Sequence, residues 1–140
     1  MSVFIDTGAF LAYRNKKDKY HEIANKLFMD ALKGKYGQIY TSDYIFDEAL
    51  TLALIRTNNI DVAMDIADVI MSPRIKMVFA DKNMLEKSTK TFKQYSDRNL
   101  SFTDAVSIEI MNEFEIGKYL GFDSHFNGIV EQVSQEFKDF

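Results

Sequence analysis

Four carboxylates in the 140-residue chain are placed where they could do chemistry: Asp6, Glu48, Asp104 and Asp123. Asp6 ends the apolar opening Met1-Ser2-Val3-Phe4-Ile5, and Asp123 follows the short run Lys118 to Phe122. Glu48 shares a helical stripe with Ile45, Leu52 and Ile55. A charge on such a stripe costs desolvation unless a cation or hydrogen-bond donors meet it. Neither lysine nor arginine adjoins any of the four in sequence. If the fold gathers them, their mutual repulsion calls for a divalent ion. Hard cations such as magnesium and manganese accept oxygen ligands of this kind and keep water positions open. In an acidic pocket, one or two such ions lower the pKa of bound water and stabilise the charge that develops in phosphodiester cleavage.

The rest of the composition narrows the chemistry by exclusion. The chain has no cysteine, which removes disulfides, thiolate zinc sites, iron–sulfur clusters and thiol nucleophiles. Only two histidines are present, His21 and His125, too few for a tris-histidine metal site. Seventeen basic against 21 acidic side chains give a net charge of −4, so there is no bulk positive field for nucleic acid. The phosphate-binding Gly-x-x-x-x-Gly-Lys loop and the dinucleotide Gly-x-Gly-x-x-Gly are both missing. A receiver domain would want paired acids after its first strand, and an Asp-x-Asp phosphatase would want an acid at position 8. Here Asp6 is followed by Thr7-Gly8.

Each acid also has a purely structural reading. Asp6 can cap a following helix, and Asp123-Ser124 can form a turn. Ser101-Phe102-Thr103-Asp104 has the form of a capping box. Asp81, directly before Lys82, reads best as a helix cap, and Asp43 and Asp47 as solvated first-turn acids favoured by the helix dipole. His125 reads as a packing or hydrogen-bonding residue rather than a ligand.

The elements that must position these groups follow from periodicity. A buried strand is expected over Met1–Ile5, and helical spacing runs from about Lys19 to Lys33, followed by a loop at Gly34 and Gly37. A second strand is expected over Gln38–Thr41, with Ser42 capping a helix over Asp43–Thr57. A helix over Asp61–Met71, a strand over Ile75–Phe79 and a polar helix to about Tyr95 come next. A helix then runs from Ser101 through Phe114, and a strand covers Lys118–Phe122. Ile129–Val133 reads as a fifth strand or a final helical turn. Strands alternating with helices predict an α/β domain around a mostly parallel sheet. With 46% hydrophobic residues and no repeat or linker, residues 1–140 are expected to form a single domain. No apolar run approaches the ~20 residues of a bilayer span, and the N-terminus lacks a signal-type pattern, so a cytoplasmic protein is the expectation.

Four segments, in order, resemble the PIN-domain family. Val3-Phe4-Ile5-Asp6-Thr7-Gly8-Ala9-Phe10-Leu11-Ala12 is similar to its opening strand and first acid. Thr41-Ser42-Asp43-Tyr44-Ile45-Phe46-Asp47-Glu48 resembles the second acidic segment, Leu100-Ser101-Phe102-Thr103-Asp104-Ala105 the third, and Leu120-Gly121-Phe122-Asp123-Ser124-His125-Phe126 the fourth. The resemblance implies a three-layer α/β/α fold and a ribonuclease dependent on Mg2+ or Mn2+. Asp6, Glu48, Asp104 and Asp123 would be its metal-binding, catalytic acids, with Thr7 and Thr103 as supporting hydroxyls. At this size the chain looks most like a VapC-type toxin, which implies RNA as substrate, a cognate antitoxin and a homodimer. A PIN-domain module that only binds RNA or acts as a scaffold is the alternative; such modules usually lack some of the acids, and all four positions are acidic here.

Two further features bear on substrate and partners. Arg14, Lys16, Lys17 and Lys19 form a basic cluster soon after Asp6, with Tyr13 and Tyr20 at its ends. They can grip phosphates while the aromatics stack on unpaired bases, or they can be a solvated loop and helix start. Twelve phenylalanines, seven tyrosines and seven methionines are many for this length, so some should lie near the surface and suit a partner groove.

Overall fold

The computed structural model describes residues 1–136. β1 (Ser2–Ile5), β2 (Gln38–Ser42), β3 (Ile75–Val78), β4 (Lys118–Leu120) and β5 (Glu131–Gln132) form a sheet of order β3-β2-β1-β4-β5. Every neighbouring pair is parallel, with Phe4 of β1 opposite Tyr40 on one side and Tyr119 on the other. Six helices connect them: α1 (Thr7–Arg14), α2 (His21–Leu32), α3 (Asp43–Thr57), α4 (Ile60–Ile70), α5 (Lys82–Gln94) and α6 (Phe102–Glu113). From β1 the chain steps one way to β2 and β3, then crosses back over β1 to β4. Right-handed crossovers therefore place α1–α4 on one face of the sheet and α5–α6 on the other. The contacts agree, since α1 packs on α2, α3 and α4, while α5 packs on α6.

A sheet covered on both faces needs strands apolar on both faces. Val3, Phe4 and Ile5 are completely buried, as are Tyr119 and Leu120. Phe10 meets Phe28 edge-on with ring centroids 5.5 Å apart, joining α1 to α2. The expected elements are present, with ends displaced by one or two residues. Asn59 rather than a later residue caps α4, accepting from the Asp61 amide at 3.0 Å, so the helix opens at Ile60. α1 was not anticipated. It is a short helix whose Ala9, Phe10, Leu11 and Ala12 are all buried, so it lacks the polar–apolar alternation that marks a half-exposed helix. The last segment contains both of its expected alternatives, β5 followed by a 3-10 turn over Val133–Glu136.

The capping expectations hold at Ser42 and Asp81, whose side chains accept from the amides of Ile45 and Met84. Asp43 departs from its expected role. It is half-buried, and its carboxylate accepts from the Ala80 amide at 3.1 Å, tying the start of α3 to the loop after β3. Asp47 is exposed, as a solvated acid should be.

Gly37 shows how closely the chain packs where it enters the sheet. It directly precedes β2 at φ +78°, and a Cβ there would lie 2.0 Å from the Met1 carbonyl oxygen. Both the conformation and the space exclude a side chain. Gly37→Ala should lower stability by about 1–3 kcal/mol, read as a shifted urea midpoint at constant m-value.

Candidate active site

The reversal of strand order falls between β1 and β4, and open α/β sheets hold their ligands beyond the carboxyl ends at such a point. Asp6 stands directly after β1, and Asp123 shortly after β4. Glu48 enters from α3, and Asp104 from the first turn of α6. All four line one open cavity of about 550 Å³. Asp104, Asp123 and His125 each place one potential ligand atom within 4.8 Å of the others.

Burial sets the electrostatics. Asp6 is 6% exposed, and desolvation raises its pKa from 3.8 to about 7. The Tyr119 hydroxyl beside it offsets part of this, while the charges of Asp104 and Glu48 add to it. Asp6 Oδ1, Thr7 Oγ1 and the Tyr119 hydroxyl are all buried, and none meets a partner at full hydrogen-bond geometry. The Tyr119 pKa is pushed far up by its own burial and then by Asp6. Burial also raises Asp104, with bonds from Ser101 opposing and Asp123 and Glu48 reinforcing the shift.

Asp104 carries both readings that its sequence allows. Its Oδ2 accepts from the Ser101 amide at 3.0 Å, and Ser101 Oγ accepts from the Asp104 amide at 3.1 Å, a complete capping box. One carboxylate oxygen thus anchors the group to its helix while the side chain lines the cavity.

The loop bearing Asp123 is fixed from several directions. Asp123 Oδ1 accepts from the His125 amide at 2.8 Å and lies 3.1 Å from His125 Nδ1. Arg98, in the α5–α6 connection, donates to the carbonyls of His125 and Asn127 at 2.9 and 2.6 Å. Gln132 of β5 donates to the Asp123 carbonyl at 3.1 Å, and Ser134 to that of Gly121 at 2.6 Å. Phe126, from the same loop, stacks on the Tyr119 ring at 4.5 Å. A Cβ on Gly121 would lie 2.4 Å from that ring, so only glycine fits where β4 turns toward Asp123.

The supporting residues separate. Thr7 lines the cavity, whereas Thr103 is not among the lining residues. Lys19 and Tyr20 line it, with Lys19 Nζ 4.8 Å from the Tyr20 ring centroid and Tyr20 stacked on Phe122 at 4.7 Å. Arg14, Lys16 and Lys17 line a second cavity of about 450 Å³ instead. His125 makes the expected hydrogen bond and also stands within the possible ligand group. Sequence reading missed Arg56, which lines both cavities. The signal was present: Glu48, Leu52 and Arg56 recur every four residues on α3, and all three face the first cavity.

The donor set suits a hard divalent cation. It is built from carboxylates, none is paired with lysine or arginine among the described residues, and Asp6 holds a buried oxygen without a partner. An acid-lined cavity at the switch point of a parallel sheet is placed where an open α/β fold holds its ligand. Residues 3–129 match the PIN domain family model, and the chain belongs to that family.

Relatives with curated functions agree in extent. The chain is 27% identical to a VapC ribonuclease of Archaeoglobus fulgidus over 128 residues, covering 91% of this chain and 80% of that protein. It is also 27% identical to the 23S rRNA-specific endonuclease VapC20 of Mycobacterium tuberculosis over 131 residues, covering 92% of this chain and 96% of that one. The crystal structure of VapC20, described as a Sarcin-Ricin loop cleaving toxin, superposes with a TM-score of 0.82 at 26% identity, covering 92% of this chain and 97% of the other. Rickettsia felis VapBC2, crystallised with a promoter DNA fragment, shares the fold at a TM-score of 0.66 and 14% identity over 94% of this chain and 97% of that one.

Burial of Asp6 gives stability a definite pH dependence. Between 3.8 and about 7 the folded state binds the Asp6 proton that the unfolded chain has released. This contribution is full below the unfolded pKa and is lost as pH rises through the folded one. In EDTA, the melting temperature should fall as pH rises from about 5 to about 8. Asp6→Asn should flatten most of that slope, which parallel thermal melts of the two proteins would measure.

Proposed function

We propose that this chain is an endoribonuclease dependent on Mg2+ or Mn2+ and acts as the toxin of a VapBC-type toxin–antitoxin pair. The observation that carries this reading is the convergence of Asp6, Glu48, Asp104 and Asp123, from four separate segments, on one cavity without a lysine or arginine paired to any of them. The names of the curated relatives, a VapC ribonuclease and a 23S rRNA-specific endonuclease, support RNA as the substrate class.

The four acids would bind as carboxylates, so Asp6 would give up the proton that burial favours when the site fills, and a cation would offset the desolvation that raises Asp104. Asp6, Glu48, Asp104 and Asp123 would hold a divalent ion, whose chemistry there would be to acidify a bound water and to offset charge on the scissile phosphate. The Ser101 bond fixes Asp104, and the His125 amide fixes Asp123, so these two are oriented before substrate arrives. Lys19 lines the same cavity and meets the phosphate of the incoming strand, while the Thr7 hydroxyl orients the attacking water or a phosphate oxygen. Water would attack phosphorus directly and displace one ribose oxygen, which leaves with a proton, so no covalent enzyme intermediate forms. The complete acid set favours this reading over a scaffold that binds RNA without cutting it.

The surface supports a protein partner. Ile55, Ile60 and Met64, at the junction of α3 and α4, are 70%, 56% and 52% exposed. Apolar side chains left at that exposure suit a face that another chain covers, and we assign it to a homodimer or a cognate antitoxin in the cytoplasm. Among the described residues, no helix is long and apolar enough to cross a membrane.

Asp104→Asn tests the site because amide and carboxylate can both serve the capping box, but only the carboxylate brings charge. The variant should keep its stability within about 1 kcal/mol in EDTA, while RNA cleavage in manganese falls by orders of magnitude. Full activity in a destabilised variant would reduce Asp104 to a helix cap. A second expectation concerns metal alone: millimolar manganese should raise the wild-type melting temperature, because it binds only the folded state. Identical melts in EDTA and in manganese would refute the metal site.

A further inference from the structure

The second cavity adjoins the acid-lined one, and Arg56 lines both. Its other cations are Arg14, Lys16 and Lys17, from the end of α1 and the loop after it. Four cations thus face this cavity against the two acids that α4 contributes, Asp61 and Asp65. None of the four forms an ion pair among the described residues, although both acids line the same space. Arg14 is held by its aromatic neighbours instead. Its guanidinium sits 4.7 Å from the Tyr13 ring centroid, and Tyr13 stacks on Phe28 at 4.1 Å and 3°. Stacking of this kind orders a guanidinium while leaving its N–H groups available.

A set of cations that neither pair internally nor face an apolar wall suits a polyanion. A free phosphate would fill only one position. A cavity that shares a cationic residue with the neighbouring site suits a continuous phosphate backbone. We propose that the cavity between α1, α3 and α4 is a subsite for the RNA strand extending from the acid-lined site, and that Arg56 carries the backbone from one cavity to the other. This rests on the ribonuclease reading above and adds a second place where the protein grips the strand. Arg56, like the guanidinium of Arg14, offers two parallel donors to a phosphate, which a lysine would not reproduce.

The test measures binding apart from cleavage. A fluorescent single-stranded RNA decamer is titrated by anisotropy, at several salt concentrations, into Asp104→Asn protein with and without Arg56→Ala. Loss of Arg56 should weaken binding about tenfold, as for one charge-assisted contact, and reduce the log–log salt slope by ~0.7. Lys16→Ala with Lys17→Ala should reduce both further, while Lys87→Ala with Lys90→Ala, on the exposed face of α5, should change neither. For an RNA dinucleotide, too short to reach the second cavity, the Arg56 effect should shrink. Unchanged decamer affinity and slope in the Arg56 and Lys16/Lys17 variants would overturn the subsite while leaving the nuclease reading intact. A failure of Arg56→Ala alone to show the manganese-induced rise in melting temperature would also overturn it, by placing Arg56 in the acid site. No RNA binding by any variant would overturn the ribonuclease reading and the subsite together.

Discussion

A carboxyl group buried where the strand order reverses is the constraint around which the molecule is arranged. Asp6 has almost no access to water, and one of its oxygens has no hydrogen-bond partner. Like charges on Asp104 and Glu48 raise its pKa further. Such an arrangement is unfavourable for folding alone, and in native proteins a buried polar atom without a partner points to function. The surroundings are specific. Tyr119 places its hydroxyl near Asp6, Gly121 leaves room for the Tyr119 ring, and Phe126 packs against that ring from the loop that carries Asp123. One aromatic ring thereby joins the first and fourth acids through the core.

The helix α3 performs the complementary task. It has nearly the same apolar character all round, because it faces the sheet, the cavity and an outer surface at once. Glu48, Leu52 and Arg56 keep one line along it toward the site, while Ile45, Ala49 and Ala53 are buried and Ile55 points outward. Two opposite charges on one helix face, two turns apart, give the site an acidic end and a cationic end. A negatively charged protein can hold a polyanion through such local arrangement, whatever its net charge.

The fold was legible because parallel strands buried on both faces read as unbroken apolar runs, and Val3-Phe4-Ile5 and the segment ending at Leu120 are of that kind. α1 was not legible for the same physical reason. Its centre, Ala9-Phe10-Leu11-Ala12, is an unbroken buried apolar run, so it looks like the strand before it. The four acids were legible as candidates, yet their meeting was not, because it depends on β1 and β4 being neighbours across a long stretch of chain. Periodicity within α3 would have revealed Arg56. No local pattern could reveal that Arg14 and Lys17 line a different cavity from Lys19, since the chain turns between them.

The bonds that hold the Asp123 loop come from late in the chain. Gln132 and Ser134 reach back to the carbonyls of Asp123 and Gly121, and β5 pairs with β4 only once residues 131 and 132 exist. Arg98 and Tyr119, which precede Asp123, hold the same loop from the other side. The position of the fourth acid therefore depends in part on residues that follow it in the sequence.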